Sequence, residues 1–192
     1  MDREYEALEH KPPGAEVRVA STPAPSRLTL ESPALDAMTD FTRTRAATIR
    51  ADRPLAECNA LMHALGVRLL FVENKERPVA GVITATDLLG EKPMRFVQER
   101  GVAHHDVLVS DIMTPVSEVE SLDRQDVSHA QVGHVVATLK AAGREHTVVT
   151  DEGGKRICGI FSATDIARRL GAEVPTVEVA ASFAQIEAAL AK

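Results

Sequence analysis

Two seven-residue phrases decide the fold of this chain: GVITATD at Gly81–Asp87 and GIFSATD at Gly159–Asp165. They match without gaps at an offset of 78 residues, and the same offset pairs Phe71 with Val149. An internal repeat of this length indicates one structural unit that is used twice, with the two copies completing a common core. The sequence therefore predicts two similar units within one compact protein.

A second pair of phrases extends the repeat upstream. LDAMT at 35–39 matches SDIMTP at 110–115 with an offset of 75 residues, so three extra residues enter the second copy between the two anchors. In each copy an amphipathic helical stretch precedes two apolar runs that are joined by a polar turn, at Asn74–Pro78 or at Glu152–Lys155. A second helix follows each hairpin. This order predicts an α/β (α+β) fold in which each copy is a small sheet with two flanking helices.

Four parts of the chain are predicted from changes in composition. Residues 1–33 hold five of the ten prolines and are expected to form an extended N-terminal arm. The first repeat is placed at 34–100 and the second at 101–171. Residues 172–192 form a C-terminal tail whose apolar stripe predicts a short helix.

Composition excludes several classes of function. The 28 acidic and 22 basic side chains give a net charge of −6, which argues against binding to nucleic acid. The two cysteines show no metal-ligand or redox spacing, and no leader or membrane-spanning run is apparent. We therefore expect a soluble, cytoplasmic protein with free thiols that does not associate with a membrane.

Motifs of catalysis are also absent from the sequence. There is no GxSxG, no HExxH and no cysteine phrase typical of a nucleophile, so no catalytic residue is assigned and the protein is expected not to be an enzyme. His104, His105 and Asp106 form the one local cluster that resembles metal ligands. Since no second cluster lies at ligand spacing, a solvated linker is the preferred interpretation, and no metal site is predicted.

The phrases VSDIMTP, GVITATDLL and GIFSATDIARRLG resemble the CBS (cystathionine β-synthase) domain, and their arrangement resembles a tandem CBS pair over residues 34–171. The resemblance implies two repeats that pack about a pseudo-twofold axis and leave two clefts. In that family the clefts often hold AMP, ADP, ATP or S-adenosylmethionine, as regulatory ligands and not as catalytic cofactors. The resemblance also implies a homodimer.

The repeated phrase supplies the candidate binding residues. Four hydroxyl groups are expected where a strand ends and a helix begins, beside free backbone N–H groups that favour a phosphate: Thr84, Thr86, Ser162 and Thr164. The carboxylates of Asp87 and Asp165 can accept two hydrogen bonds from the diol of a ribose. However, Ser or Thr three residues before Asp is also a helix-capping pattern that needs no ligand.

A basic position precedes each hairpin. Arg68 begins the strand after the first helix, and its counterpart in the second copy is His146. The resemblance implies that this position contacts ligand phosphates, for which Arg is well suited, whereas His146 is expected to be only partly charged near neutral pH and Glu145 beside it to oppose a phosphate. The cleft served by Arg68 should therefore hold anionic ligands more tightly. Alternatively, Arg68 is a solvated strand end.

The two clefts are not expected to be equivalent. The leading segment of the second copy, VSEVESLDRQDVSHAQ at 116–131, is longer and more charged than the corresponding segment of the first copy. Because this segment forms one wall of a nucleotide cleft in the family that the chain resembles, one cleft is predicted to be altered or empty.

The favoured functional hypothesis is a regulatory module that senses an adenosine-containing ligand. No output domain is visible in the sequence, so either the effector is a separate protein or the protein simply buffers or reports a nucleotide. The alternative is a degenerate CBS pair that acts as a dimerisation or docking scaffold without a ligand. A metal enzyme built around His104 and His105 is the third and least supported hypothesis.

Overall fold

The computed structural model describes residues 27–171, which form eight strands in two sheets and eight α-helices. The strands are β1 (Thr39–Asp40), β2 (Thr48–Arg50), β3 (Leu69–Glu73), β4 (Gly81–Thr84), β5 (Thr114–Pro115), β6 (Ser121–Asp123), β7 (His146–Asp151) and β8 (Arg156–Ser162). The helices are α1 (Ala34–Ala37), α2 (Leu55–Leu65), α3 (Ala85–Leu89), α4 (Lys92–Arg100), α5 (Val109–Ile112), α6 (Arg124–His129), α7 (Val132–Ala142) and α8 (Ala163–Arg169). The predicted α/β (α+β) fold class is confirmed.

Part of the predicted arm and the whole predicted tail lie outside the described residues. Of the arm, the structure describes residues 27–33, which contain no helix or strand. Leu28 in this segment is nevertheless buried and contributes to the apolar core of the second sheet. The tail at 172–192, with its predicted short helix, stays a prediction.

Helices α2 and α7 occupy equivalent places in the two repeats. Each buries three side chains at spacings of three and four residues, which line one face of a helix: Leu55, Cys58 and Met62 in α2, and Val132, Val135 and Leu139 in α7. Each helix ends at a glycine in the left-handed conformation, Gly66 with φ 65° and Gly143 with φ 61°. Glycine adopts this conformation without the steric cost of a Cβ atom, which explains why both helices stop there.

The two sheets have the same architecture, but each includes a strand from the other part of the chain. The first sheet has the order β2-β3-β4-β5 and the second the order β6-β7-β8-β1. In both, the leading strand runs parallel to its neighbour and the other pairs are antiparallel. The boundaries of the two sequence repeats, 34–100 and 101–171, stay predictions. The sheets themselves exchange edge strands, because β1 closes the second sheet and β5 closes the first.

The edge strands explain the first glycine of each repeated phrase. A Cβ atom on Gly81 would lie 2.3 Å from the backbone oxygen of Thr114 in β5. A Cβ atom on Gly159 would lie 2.5 Å from the sulfur of Met38, which precedes β1. A neighbouring segment approaches the strand closely at both positions, through a backbone atom at Gly81 and through a flexible side chain at Gly159.

Alternation along the central strands divides the apolar residues between three clusters. Leu70, Val72 and Ile83 face the helices that cover the first sheet. Leu69 and Phe71 belong to a separate cluster that also contains Val148 of the second sheet. Because successive side chains of a strand point to opposite faces, this pattern places the two sheets against each other, with helices on their outer faces.

Among residues 27–171, no helix combines the length and the apolar character that crossing a bilayer requires.

Candidate functional site

Two clefts of about 240 Å³ each lie where the sheets meet. The Asp87 cleft is lined by residues that include Leu69, Val82, Thr84, Thr86, Asp87, Glu118, Val119, Glu120, Arg144, Glu145, His146 and Val148. The Asp165 cleft is lined by residues that include Phe41, Thr44, Arg45, Arg68, Phe71, His146, Ser162, Thr164, Asp165 and Arg168. Each cleft therefore combines the repeated phrase of one copy with the leading segment of the other.

All the candidate binding residues line one of these clefts. Thr84, Thr86 and Asp87 lie in the first, and Ser162, Thr164 and Asp165 lie in the second. His146 lines both clefts, whereas Arg68 lines the Asp165 cleft. Arg68 of the first repeat thus lies in the same cleft as Asp165 of the second repeat. That these candidate residues contact a ligand stays a prediction.

The carboxylate of Asp87 is engaged in capping helix α3. One oxygen accepts hydrogen bonds from the backbone N–H of Thr84 (2.9 Å) and from its hydroxyl group (2.7 Å). The Thr84 hydroxyl oxygen in turn accepts from the backbone N–H of Asp87 (3.2 Å), which completes a capping box. The second carboxylate oxygen contacts the ammonium group of Lys92. A ribose at Asp87 would have to share an oxygen that already has a partner.

The carboxylate of Asp165, unlike that of Asp87, does not take part in a capping box. Ser162 caps helix α8 by accepting a hydrogen bond from the backbone N–H of Asp165 (3.4 Å), but the reciprocal bond is not formed. The carboxylate is 3.7 Å from Arg168 and 4.0 Å from Arg169, beyond the usual hydrogen-bond distance. Within the described part of the chain no donor is hydrogen-bonded to this carboxylate, so both oxygens can accept from a ligand.

A buried ion pair joins the two repeats between the clefts. The Arg68 guanidinium lies 3.2 Å from the carboxylate of Glu145, and the two side chains are 21% and 4% exposed. The hydroxyl group of Thr86 also donates to Glu145, at 3.3 Å. This pair is not predicted from the sequence. Glu145 lies beside His146, the counterpart of Arg68, but nothing in the sequence shows that the two strand starts meet.

His146 is neutral at neutral pH. The pKa of its imidazole is lowered to about 4, mainly by burial; Glu145 acts in the opposite direction, and Arg68 adds to the lowering. The expectation that His146 is partly charged near neutral pH is therefore wrong, because a protonated imidazole would lose hydration that its surroundings do not replace. Its side chain contributes no positive charge to either cleft.

We expect this burial to make the stability of the protein depend on pH. The pKa of His146 is lower in the folded state, about 4, than the ordinary value of 6.5, so below 6.5 the unfolded state takes up a proton that the folded state does not. The free energy of unfolding should fall as the pH decreases from 6.5 to 4, by at most about 1.4 kcal/mol per pH unit. Urea unfolding across this range, compared with His146→Gln, tests the prediction. The variant should show a smaller slope, and an equal slope would contradict it.

The leading segment of the second copy contains strand β6 and brings acidic side chains to a cleft. β6 pairs in parallel with β7, as β2 does with β3. Just before it, Glu118 and Glu120 line the Asp87 cleft, and Glu120 lies 3.0 Å from Arg144. The acidic side chains of this segment of the second repeat thus lie in the cleft that contains Asp87 of the first repeat.

Two further groups of residues lie away from the clefts. His104, His105 and Asp106 form an exposed 3-10 turn, in which His105 is 3.4 Å from Asp106. Over residues 27–171, no group of three or more His, Cys, Asp or Glu side chains is placed to hold a metal ion. Cys58 and Cys158 are buried free thiols, and burial raises the pKa of Cys58 to about 11.

Comparisons with known proteins agree with this geometry. The CBS domain family model matches residues 38–93. An uncharacterised conserved protein from Pyrococcus horikoshii aligns with a TM-score of 0.55 and 22% identity, over 78% of this chain and all of the other. The comparison with curated proteins gives no significant match.

Two of the similar structures contain adenosine ligands. CBSX2 in complex with AMP aligns with a TM-score of 0.52 and 18% identity, over 71% of this chain and 94% of the other. The CBS domain pair of protein MJ0100, in complex with 5′-methylthioadenosine and S-adenosyl-L-methionine, aligns with a TM-score of 0.50 and 18% identity, over 75% and 97% of the two chains. The chain thus contains a CBS domain at residues 38–93 and has the fold of a CBS domain pair.

Proposed function

We propose that the protein is a regulatory module that senses an adenosine-containing ligand, AMP, ADP, ATP or S-adenosylmethionine, and that the Asp165 cleft holds a nucleotide. One observation carries the proposal. The Asp165 cleft places an aspartate whose carboxylate accepts no hydrogen bond from the described residues in the same cavity as three guanidinium groups, those of Arg45, Arg168 and Arg68, of which Arg68 is also paired with Glu145. A diol acceptor beside phosphate donors matches the two polar ends of a nucleoside phosphate.

The apolar wall of this cleft suits the third part of a nucleotide, its base. Phe41 and Phe71 line the cleft with their rings 5.5 Å apart in an edge-to-face arrangement. Ile160 adds a further apolar surface. A purine packed here would bury apolar area while Asp165 accepts from the ribose and Arg68 donates to the phosphate.

The comparisons support this proposal through the fold. Protein structures with the same architecture contain AMP in one case and 5′-methylthioadenosine with S-adenosylmethionine in another. A ligand between the two sheets would regulate by binding one arrangement of the repeats more tightly than another. A separate effector protein would then respond to that arrangement, and the module itself would not be an enzyme.

Assembly and location are part of the same proposal. We expect a homodimer in the cytoplasm. Leu65 and Met94, on helices α2 and α4, and Leu89, at the end of α3, are more than half exposed, at 52%, 55% and 72%. Contact with a second copy would remove this apolar surface from water.

The alternative function, a docking scaffold without a ligand, is favoured by one observation in the other cleft. The capping box of Thr84 and Asp87 explains those two residues without a ligand. The same explanation does not cover Asp165, whose carboxylate caps nothing in the described residues. The two functions therefore differ in what they predict for Asp165.

Replacement of Asp165 by Asn should abolish the response to AMP. At about 100 times its dissociation constant a ligand adds roughly 2.7 kcal/mol to the free energy of unfolding. For a chain of this size each kcal/mol moves the midpoint by about 2–4 °C. We expect AMP to raise the melting temperature of the wild type by about 5–10 °C and to leave that of Asp165→Asn nearly unchanged.

Asp87→Asn is the matched control for this measurement. It changes the equivalent residue of the other repeat and should keep most of the AMP response, although the loss of a helix cap lowers its basal stability by about 1 kcal/mol. If neither AMP, ADP, ATP nor S-adenosylmethionine shifts the melting temperature of the wild type, the scaffold function replaces the proposed one.

A further inference from the structure

The two clefts have similar volumes but opposite charge. Four carboxylates and one guanidinium line the Asp87 cleft: Asp87, Glu118, Glu120, Glu145 and Arg144. Three guanidinium groups and one carboxylate line the Asp165 cleft: Arg45, Arg68, Arg168 and Asp165. His146 faces both clefts and is neutral at neutral pH. The same ligand therefore cannot be equally favourable in both places.

The positive charge near the Asp87 cleft is already neutralised. Arg144 lies 3.0 Å from Glu120, and Lys92, which contacts Asp87, does not line the cavity. Glu118 forms no ion pair with any residue that the structure describes. Asp87 is in turn balanced by Lys92 and Glu145 by Arg68, so Glu118 is the carboxylate of this cavity whose charge no ion pair among the described residues balances.

Glu145 lies where a phosphate would be expected. Its side chain is 4% exposed and accepts a hydrogen bond from Thr86, the hydroxyl group that sequence analysis assigned to a phosphate. A buried charge is screened less by water than an exposed one. Arg68, the partner of Glu145, lines the Asp165 cleft and not this cavity, so a phosphate near Thr86 would meet the carboxylate of Glu145 and not a guanidinium group.

The remaining surface of the Asp87 cleft suits a nucleoside. Leu69 and Val82 of the first sheet and Val119 and Val148 of the second unit line the cavity and belong to one apolar cluster. The cavity of about 240 Å³ is open at one side, so a purine and its ribose can enter without displacing a strand. What the cleft excludes is negative charge, and not the nucleoside itself.

We infer that the Asp87 cleft is a second ligand site, selective for adenosine derivatives whose 5′ substituent is uncharged or positively charged. Glu118, Glu120 and Glu145 are the residues that determine this specificity. The inference rests on the proposed function, since it assumes that the clefts of this protein bind adenosine ligands. The protein would then respond to two chemically different ligands at once, a nucleoside phosphate in the Asp165 cleft and an uncharged or cationic nucleoside in the Asp87 cleft.

Isothermal titration calorimetry of Asp165→Asn tests this inference, because in that variant the Asp87 cleft is the intact one. The probes are AMP, adenosine and S-adenosylmethionine, which share the nucleoside and differ in charge at the 5′ end. We expect S-adenosylmethionine to bind the variant at least about tenfold more tightly than AMP does, with adenosine between them, as the one unbalanced charge of Glu118 implies. In Asp165→Asn/Glu118→Lys this preference should shrink or reverse.

Three outcomes separate the two proposals. Equal affinity of AMP and S-adenosylmethionine for Asp165→Asn would overturn the charge selection and leave the proposed function standing. If adenosine and S-adenosylmethionine do not bind Asp165→Asn while AMP binds the wild type, the inference is likewise overturned and the proposed function still stands. No binding of any probe to the wild type would overturn both the proposed function and this inference.

Discussion

Gly81→Ala should unfold far more easily than the wild type, with a free energy of unfolding lower by about 3 kcal/mol. The new Cβ atom would lie 2.3 Å from the backbone oxygen of Thr114. Neither backbone can move without breaking the pairing of β4 with β5, in which Val82 lies opposite Thr114. The melting temperature should fall by about 10 °C, which differential scanning calorimetry can measure.

Gly159→Ala is the matched control, since Gly159 is the repeat counterpart of Gly81. Its Cβ atom would meet the side chain of Met38, with the sulfur at 2.5 Å, and not a backbone atom. Methionine is flexible and can repack, so the expected loss is about 1 kcal/mol. Equal losses in the two variants would show that the approach of β5 does not determine the requirement for glycine.

The second large effect is expected at the ion pair between the repeats. Arg68→Met would leave Glu145, with its side chain 4% exposed, without the guanidinium that lies 3.2 Å from it. Removal of one partner of a buried pair typically costs about 3–5 kcal/mol, because the other charge stays buried and uncompensated. Since Arg68 is itself 21% exposed, we expect a loss near the lower end, about 3 kcal/mol, in urea unfolding.

The double variant Arg68→Met/Glu145→Met separates the buried charge from the loss of packing. With both charges removed, apolar side chains fill the place of the pair, and most of the lost stability should return. A double variant as unstable as Arg68→Met would show that the cost arises from packing. Arg68→Met should also weaken AMP binding in the Asp165 cleft, whereas binding of adenosine there should change little.

Much of the fold follows from local patterns in the sequence. The offset of 78 residues between the phrases at Gly81 and Gly159 correctly predicts two equivalent hairpins, because hairpin pairing involves neighbouring segments. Helical spacing correctly predicts that α2 and α7 are helices with one buried face, although Leu65 of α2, which shares the spacing, is 52% exposed. These are properties of one segment at a time, and periodicity reports them directly.

The assignment of residues to a particular cleft could not be predicted in this way. The phrases at 35–39 and 110–115 were identified as counterparts, but the sequence does not show that β1 joins the second sheet and β5 the first. For the same reason Arg68 was not placed with Asp165, and the pair of Arg68 with Glu145 was missed. Pairing between distant segments depends on the three-dimensional arrangement of the whole chain. The periodicity of a single segment does not indicate which distant segment it pairs with.

The exchange of edge strands also sets an order for folding during synthesis. Every strand of the first sheet lies between residues 48 and 115, so this sheet can be completed once that stretch has left the ribosome. The second sheet needs Thr39 beside Ile160, a contact that spans most of the described chain. Contacts between residues so far apart in sequence form slowly. Of the strands in the described residues, the earliest to be synthesised is thus among the last to be paired, and a nascent chain carries it unpaired until β8 emerges.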